Sequence, residues 1–86
     1  MKTFTVYRTK AREVVNDIER DNYREADLPQ FEGCVFHDGT TVLRWFTAWK
    51  SSSVWSSFED MKKVHISAHP DYGTRIEWSD GLIENL

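Results

Sequence analysis

Phe31-Glu32-Gly33-Cys34-Val35-Phe36-His37-Asp38-Gly39-Thr40-Thr41-Val42-Leu43-Arg44-Trp45-Phe46-Thr47-Ala48-Trp49 is the stretch that decides the fold. Two runs rich in β-branched and aromatic residues flank a single Asp38-Gly39 step. Asp-Gly in that setting is the strongest short-range hairpin signal, because a type I′ turn needs positive φ at both of its central residues. The reading is a strand over 31–37, a two-residue turn, and a strand over 40–49. A two-residue turn sets Val35 opposite Val42 and Cys34 opposite Leu43. Alternation then places Cys34, Phe36, Thr41, Leu43 and Trp45 on one face, and Phe31, Val35, Val42, Arg44 and Phe46 on the other.

Working outward, Thr3-Phe4-Thr5-Val6-Tyr7 alternates as a half-buried strand, with Phe4 and Val6 inward. On the far side, Lys50-Ser51-Ser52-Ser53 is a polar connection and Val54-Trp55 reads as a short strand. Ser56-Ser57-Phe58-Glu59 fits a capping box with Ser56 as N-cap, opening a helix over about 57–66. Its apolar side would hold Phe58, Met61, Val64 and His65. Acids in its first turn and lysines later suit the helix macrodipole. Thr74–Trp78 is the last strand, closed by Asp80-Gly81, with 82–86 as a tail. Between Lys10 and Asp27 the chain is strongly charged. Ala11, Val14, Val15 and Ile18 fall at helical spacing, so a short amphipathic helix over about 11–20 is one reading and a charged surface loop the other. The expected class is α+β: a small antiparallel sheet of four to five strands with a central Asp-Gly hairpin, packed by one helix, in a single domain spanning 1–86.

Composition sets the scale. A chain of 86 residues buries only roughly 60–65% of its unfolded surface, so each large side chain counts. Four Trp, five Phe and three Tyr supply the bulk. The net charge of −3 gives no general attraction to nucleic-acid backbones or anionic lipid. A single cysteine, Cys34, excludes an internal disulfide and suits a reducing compartment. No apolar run reaches signal-peptide or membrane-span length, so the expected location is the cytoplasm.

Chemistry-bearing constellations are sparse. His65 and His69 have an H-x3-H spacing, with Cys34, His37, Asp38 and Asp71 available, but Pro70 ends the helix that would align the two imidazoles, and no cysteine pair exists. Cys34 and His37, three apart in a strand, point to opposite faces and cannot activate one another. The acids between 13 and 27 are interleaved with Arg20 and Arg24, the pattern of a solvated face. No glycine-rich phosphate loop is present. The expectation is no catalytic, cofactor or metal residue, and no enzyme. Two binding readings are left. Arg44, Phe46, Trp49, Lys50 and Arg75 supply the residue types that dominate protein interfaces, with Glu13, Asp17 and Asp21 adding charge for a basic partner. The alternative is nucleic-acid binding by sheet aromatics and arginines, Arg44, Trp45, Phe46, Trp49, Lys50, Arg75 and Trp78, although alternation already sets Trp45 opposite Arg44 and Phe46. Monomer and homodimer both stay open.

Phe36-x-Asp38-Gly39-Thr40-x-Val42-Leu43-Arg44-Trp45, Ser56-x-x-Glu59-Asp60, Val64-His65 and Thr74-Arg75-Ile76-x-Trp78 together resemble a family of small proteins encoded mainly by bacteriophages and related mobile elements. The resemblance covers roughly 31–80, and the strand over 3–7 fits the family's usual start. Members often have a shorter loop where this chain has 9–28, and many have a Gly/His-rich loop where Ser67-Ala68-His69-Pro70 stands. The resemblance implies the fold and a phage setting, with no catalytic residues to carry over. Compact, acidic, non-enzymatic phage proteins of this length commonly bind host proteins, some as inhibitors of defence systems such as CRISPR effectors. The expectation that the phage setting favours is binding and inhibiting or modulating a host or defence-system protein.

Overall fold

The computed structural model describes residues 1–9, 26–47 and 50–86. Among these residues six strands form one antiparallel sheet: β1 (Lys2–Arg8), β2 (Phe31–Val35), β3 (Thr41–Trp45), β4 (Ser52–Trp55), β5 (Thr74–Trp78) and β6 (Ile83–Asn85). Their order across the sheet is β4-β3-β2-β1-β5-β6. The α+β class is as expected, with more strands than the four to five anticipated: 82–86, read as a tail, contributes β6. The proposed helix over 11–20 lies outside the described residues.

The hairpin corrects the expected turn. Val35 pairs with Thr41, Cys34 with Val42 and Gly33 with Leu43, one residue away from the two-residue register. The loop is three residues, His37-Asp38-Gly39. Phe36 N–H donates to Thr40 O at 2.8 Å, and Gly39 N–H to Phe36 O at 2.9 Å. Gly39 takes φ +92°, and among the described residues, Asp38 included, no non-glycine residue has positive φ, so Asp38 does not sit in a type I′ turn. Instead Asp38 Oδ1 accepts the Thr40 N–H at 2.9 Å. This is a type I turn followed by a left-handed glycine, the usual three-residue hairpin. The slip carries β2 to the opposite face from the one expected: Phe31, Gly33 and Val35 share a face with Thr41, Leu43 and Trp45, while Cys34 joins Val42 and Arg44.

A short helix, α1 (Phe58–Lys62), continues as a π-helical turn over Lys63–Ser67, and a 3-10 turn spans Pro70–Tyr72. The N-cap is Ser57 rather than Ser56, and its hydroxyl accepts the Asp60 N–H at 3.1 Å. The π turn explains a second difference. Widening the helix brings Ile66 inward five residues after Met61, and leaves Val64 49% exposed. The core is Phe4, Val6, Phe31, Leu43, Met61, Ile66 and Ile76, between one face of the sheet and this helix. Val35, Trp45, Trp55, Phe58 and Trp78 pack around it. Among the described residues no helix is long and apolar enough to cross a membrane.

Candidate functional site: the open face of the sheet

Every strand that feeds the core also presents alternate residues to the other side. Register aligns them into rows. One row runs Ser52, Arg44, Glu32, Thr5, Glu77, Ile83 across all six strands. Beside it, Val54, Val42, Cys34 and Thr3 form a small, mostly apolar row. On the other flank, Tyr7, Arg75 and Asn85 form a third. The centre of the face is built from small side chains, so it is shallowly concave. A hollow of about 390 Å³ is lined by Thr3, Thr5, Glu32, Gly33, Cys34, Val42, Leu43, Arg44 and Ser52, all of them sheet residues.

Charge on this face is mixed and anchored at both ends. Arg44 and Glu32 are exposed cross-strand neighbours, and Arg44 Nη1 donates to Ser52 Oγ at 3.4 Å. At the other end Arg75 Nε lies 2.8 Å from Glu77 Oε2, and its guanidinium carbon stands 4.4 Å from the centre of the Tyr7 ring. Arg44 and Arg75 thus share a face. Three strand spacings of about 4.8 Å put β3 and β5 about 14 Å apart, within the span of one protein partner.

The other residues named from sequence are scattered. Lys50 is exposed beyond β3. Phe46 is half-buried, its N–H donating to Gln30 O at 3.1 Å. Trp49, Glu13, Asp17 and Asp21 lie outside the described residues. Trp45, Trp55 and Trp78 pack on the core side, away from Arg44 and Arg75, so these aromatics and arginines do not make one stacking platform. Sequence reading missed Thr3, Thr5, Glu32, Cys34, Val42 and Glu77 as parts of one surface. Alternation in β1 already turned Thr3, Thr5 and Tyr7 outward, but the one-residue slip in the hairpin hid their neighbours.

His65 and His69 pack against aromatic rings, while His37 is exposed in the hairpin loop. The His65 ring meets Trp45 edge-on at 5.0 Å and Trp55 at 5.3 Å between centroids. His69 stacks on Tyr72 at 4.5 Å. Among the described residues no group of three or more His, Cys, Asp or Glu side chains converges. Beside His65, Arg8 is only 7% exposed. Its guanidinium carbon lies 4.9 Å from the Tyr72 ring centre, 5.6 Å from Phe31 and 5.7 Å from Trp45. Pro70 has no N–H, and the His69 N–H goes to Ile66 O, so the His65 carbonyl at the helix end accepts from Arg8 Nη2 instead. Burial lowers the Arg8 pKa to about 10, a drop partly offset by Tyr72. It also lowers the His65 pKa, helped by the neighbouring Arg8 and His69 charges.

A protein-family model described as Acb5 phage protein matches residues 31–80, which is more than half of the 86 residues. No curated protein and no solved structure matches the chain.

Proposed function

The chain belongs to the Acb5 phage protein family, and from that premise we propose that it acts in the cytoplasm of an infected cell by binding and blocking a host protein. The docking surface is the open face of the sheet, and the target class is a defence-system protein such as a CRISPR effector. The protein works as a steric block, without catalysis. The observation that supports this reading is the row Ser52, Arg44, Glu32, Thr5, Glu77, Ile83, with exposed charges of both signs beside a small-residue hollow. Mixed charge gives register and selectivity to a protein partner, and Arg is a residue type enriched at interface hot spots. A nucleic-acid partner would call for several stacking aromatics beside the arginines; Tyr7 stands beside Arg75, but Trp45, Trp55 and Trp78 pack on the other side of the sheet.

Affinity capture from host lysate, followed by mass spectrometry and reconstitution with the purified candidate, tests the reading. A one-to-one complex that wild type forms and Arg44→Glu does not form supports it. Capture of nucleic acid in place of protein, or a complex indifferent to open-face charge, sinks it.

A further inference from the structure

The sheet ends at two edges, β4 and β6, and they differ in what they offer a further strand. Trp45 N–H donates to Ser51 O at 2.8 Å, one step beyond the Arg44–Ser52 pair of the ladder. Antiparallel pairs alternate between bonded and unbonded, so Leu43–Ser53 and Thr41–Trp55 are the bonded ones. The N–H and C=O groups of Ser52 and Val54 therefore point away from β3, along the edge. Val54 is 70% exposed, so this edge stands open. Edge strands usually carry a charge, a proline or a bulge that blocks further pairing. β4, Ser52-Ser53-Val54-Trp55, holds neither charge nor proline, and it pairs with β3 without a bulge. β6 is three residues long and carries Glu84, so two copies of it would bring like charges together.

We infer that β4 pairs antiparallel with β4 of a second copy of this chain. The strand is self-complementary in the way a two-fold interface requires. With Ser53 on the axis, Ser52 of each copy lies opposite Val54 of the other, and each such pair exchanges N–H···O bonds in both directions. Charge selects the orientation. Residues 51–58 hold no charged side chain, while Lys50 stands exposed before them and Glu59 and Asp60 stand exposed after them. Antiparallel pairing sets Lys50 opposite Ser56 of the second copy, and its flexible stem reaches toward the first helical turn, where the two acids lie. The contact is made at both ends of the seam. Parallel pairing would bring Lys50 onto Lys50. The seam is short, well below the area of a permanent dimer, so the pairing is concentration-dependent. It joins two open faces edge to edge into one continuous surface, whatever that surface binds.

Sedimentation velocity of the full chain across a concentration series tests this. The boundary is expected to move from monomer toward dimer as concentration rises, and to move back in high salt. Val54→Pro removes an outward N–H and leaves the β3 bonds of Ser53 and Trp55 in place. It should weaken the dimer by about tenfold or more, since each copy loses a seam donor. Lys50→Glu, which lies outside the strand, should weaken it by about tenfold, and a Glu59→Lys/Asp60→Lys variant likewise. Mixing these two charge variants in equal amounts should restore association to within about threefold of wild type, because opposite charges then meet again at both ends of the seam. A monomer at every concentration, wild-type association by Val54→Pro, or no recovery in the mixture would each overturn the inference. Pairing of this edge with an extended segment of a host protein, in place of a second copy, would overturn it too.

Discussion

The two faces of this sheet come from alternate residues of the same strands, yet they are different in kind. The covered face stacks Phe4, Val6, Phe31, Leu43 and Ile76 beneath Met61 and Ile66, with aromatic pairs at both ends. Phe4, Phe58 and Trp78 meet at 4.9–5.2 Å between centroids at one end, and Phe31, Trp45, Trp55 and His65 cluster at the other. The open face carries Thr3, Thr5, Cys34 and Val42 at its centre, with Arg and Glu around them. Among the described residues the buried large apolar side chains lie on one side, as a domain this small needs to have a core at all. What is left for the other side is a shallowly concave surface of small residues with charged side chains among and around them. The demand of folding on one face shapes the surface that is free for recognition on the other.

Substitutions that strike each face in turn sharpen the contrast. The largest effect is expected on the covered side: Phe31→Ala should cost about 3–5 kcal/mol in denaturant unfolding, enough to consume much of a small domain's stability. Gly33→Ala tests the closest packing there. A Cβ at that position would lie 2.5 Å from Val42 O and 2.6 Å from Phe4 Cζ, so a loss of about 2 kcal/mol or more is expected from the same measurement. Gly81→Ala meets open space and Gly39→Ala only an ordinary contact, Ser56 O at 3.9 Å, but the two hold φ of +94° and +92°. Each should cost about 1–2 kcal/mol, from backbone strain alone and by nearly equal amounts. His65 gives the comparison a pH axis. Its pKa is lowered in the folded protein, so the unfolded chain takes up the proton first. Stability should be full above pH ~6.5 and fall as the pH drops below it, and His65→Gln should flatten that slope in pH-dependent melts. The smallest effect belongs to the open face: Arg44→Glu should change stability by less than about 0.5 kcal/mol.

The two Asp-Gly turns show how far sequence reading reached. Asp38-Gly39 and Asp80-Gly81 make the same loop. Gly81 N–H donates to Trp78 O at 3.0 Å, Trp78 N–H to Leu82 O at 2.9 Å, and Asp80 Oδ1 accepts the Leu82 N–H at 3.0 Å. In both, that backbone N–H is the main cause of a lowered aspartate pKa. The first was legible as a hairpin because long β-rich runs flank it. The second was read only as a stop, because Ile83–Asn85 is too short to announce itself and becomes a strand by pairing with β5. Loop length was not legible at either, since Asp-Gly serves two-residue and three-residue hairpins alike, and one residue decides which face Cys34 occupies. The core positions in β1, β3 and β5 followed from alternation. Ile66 did not, because a π turn breaks the helical period. The candidate site was half legible: Arg44 and Arg75 were named, but the face they share depends on register across the three pairs of strands from β3 to β5.

The most direct test of the open face as the recognition surface is to compare Arg44→Glu with Lys63→Glu, a charge reversal on the exposed part of the helical segment, in calorimetric titration against the captured host protein. Both variants should melt with wild type. The account predicts that Arg44→Glu weakens the complex by about tenfold or more while Lys63→Glu leaves it within about twofold of wild type. Equal loss with both variants, or loss with Lys63→Glu alone, would contradict it.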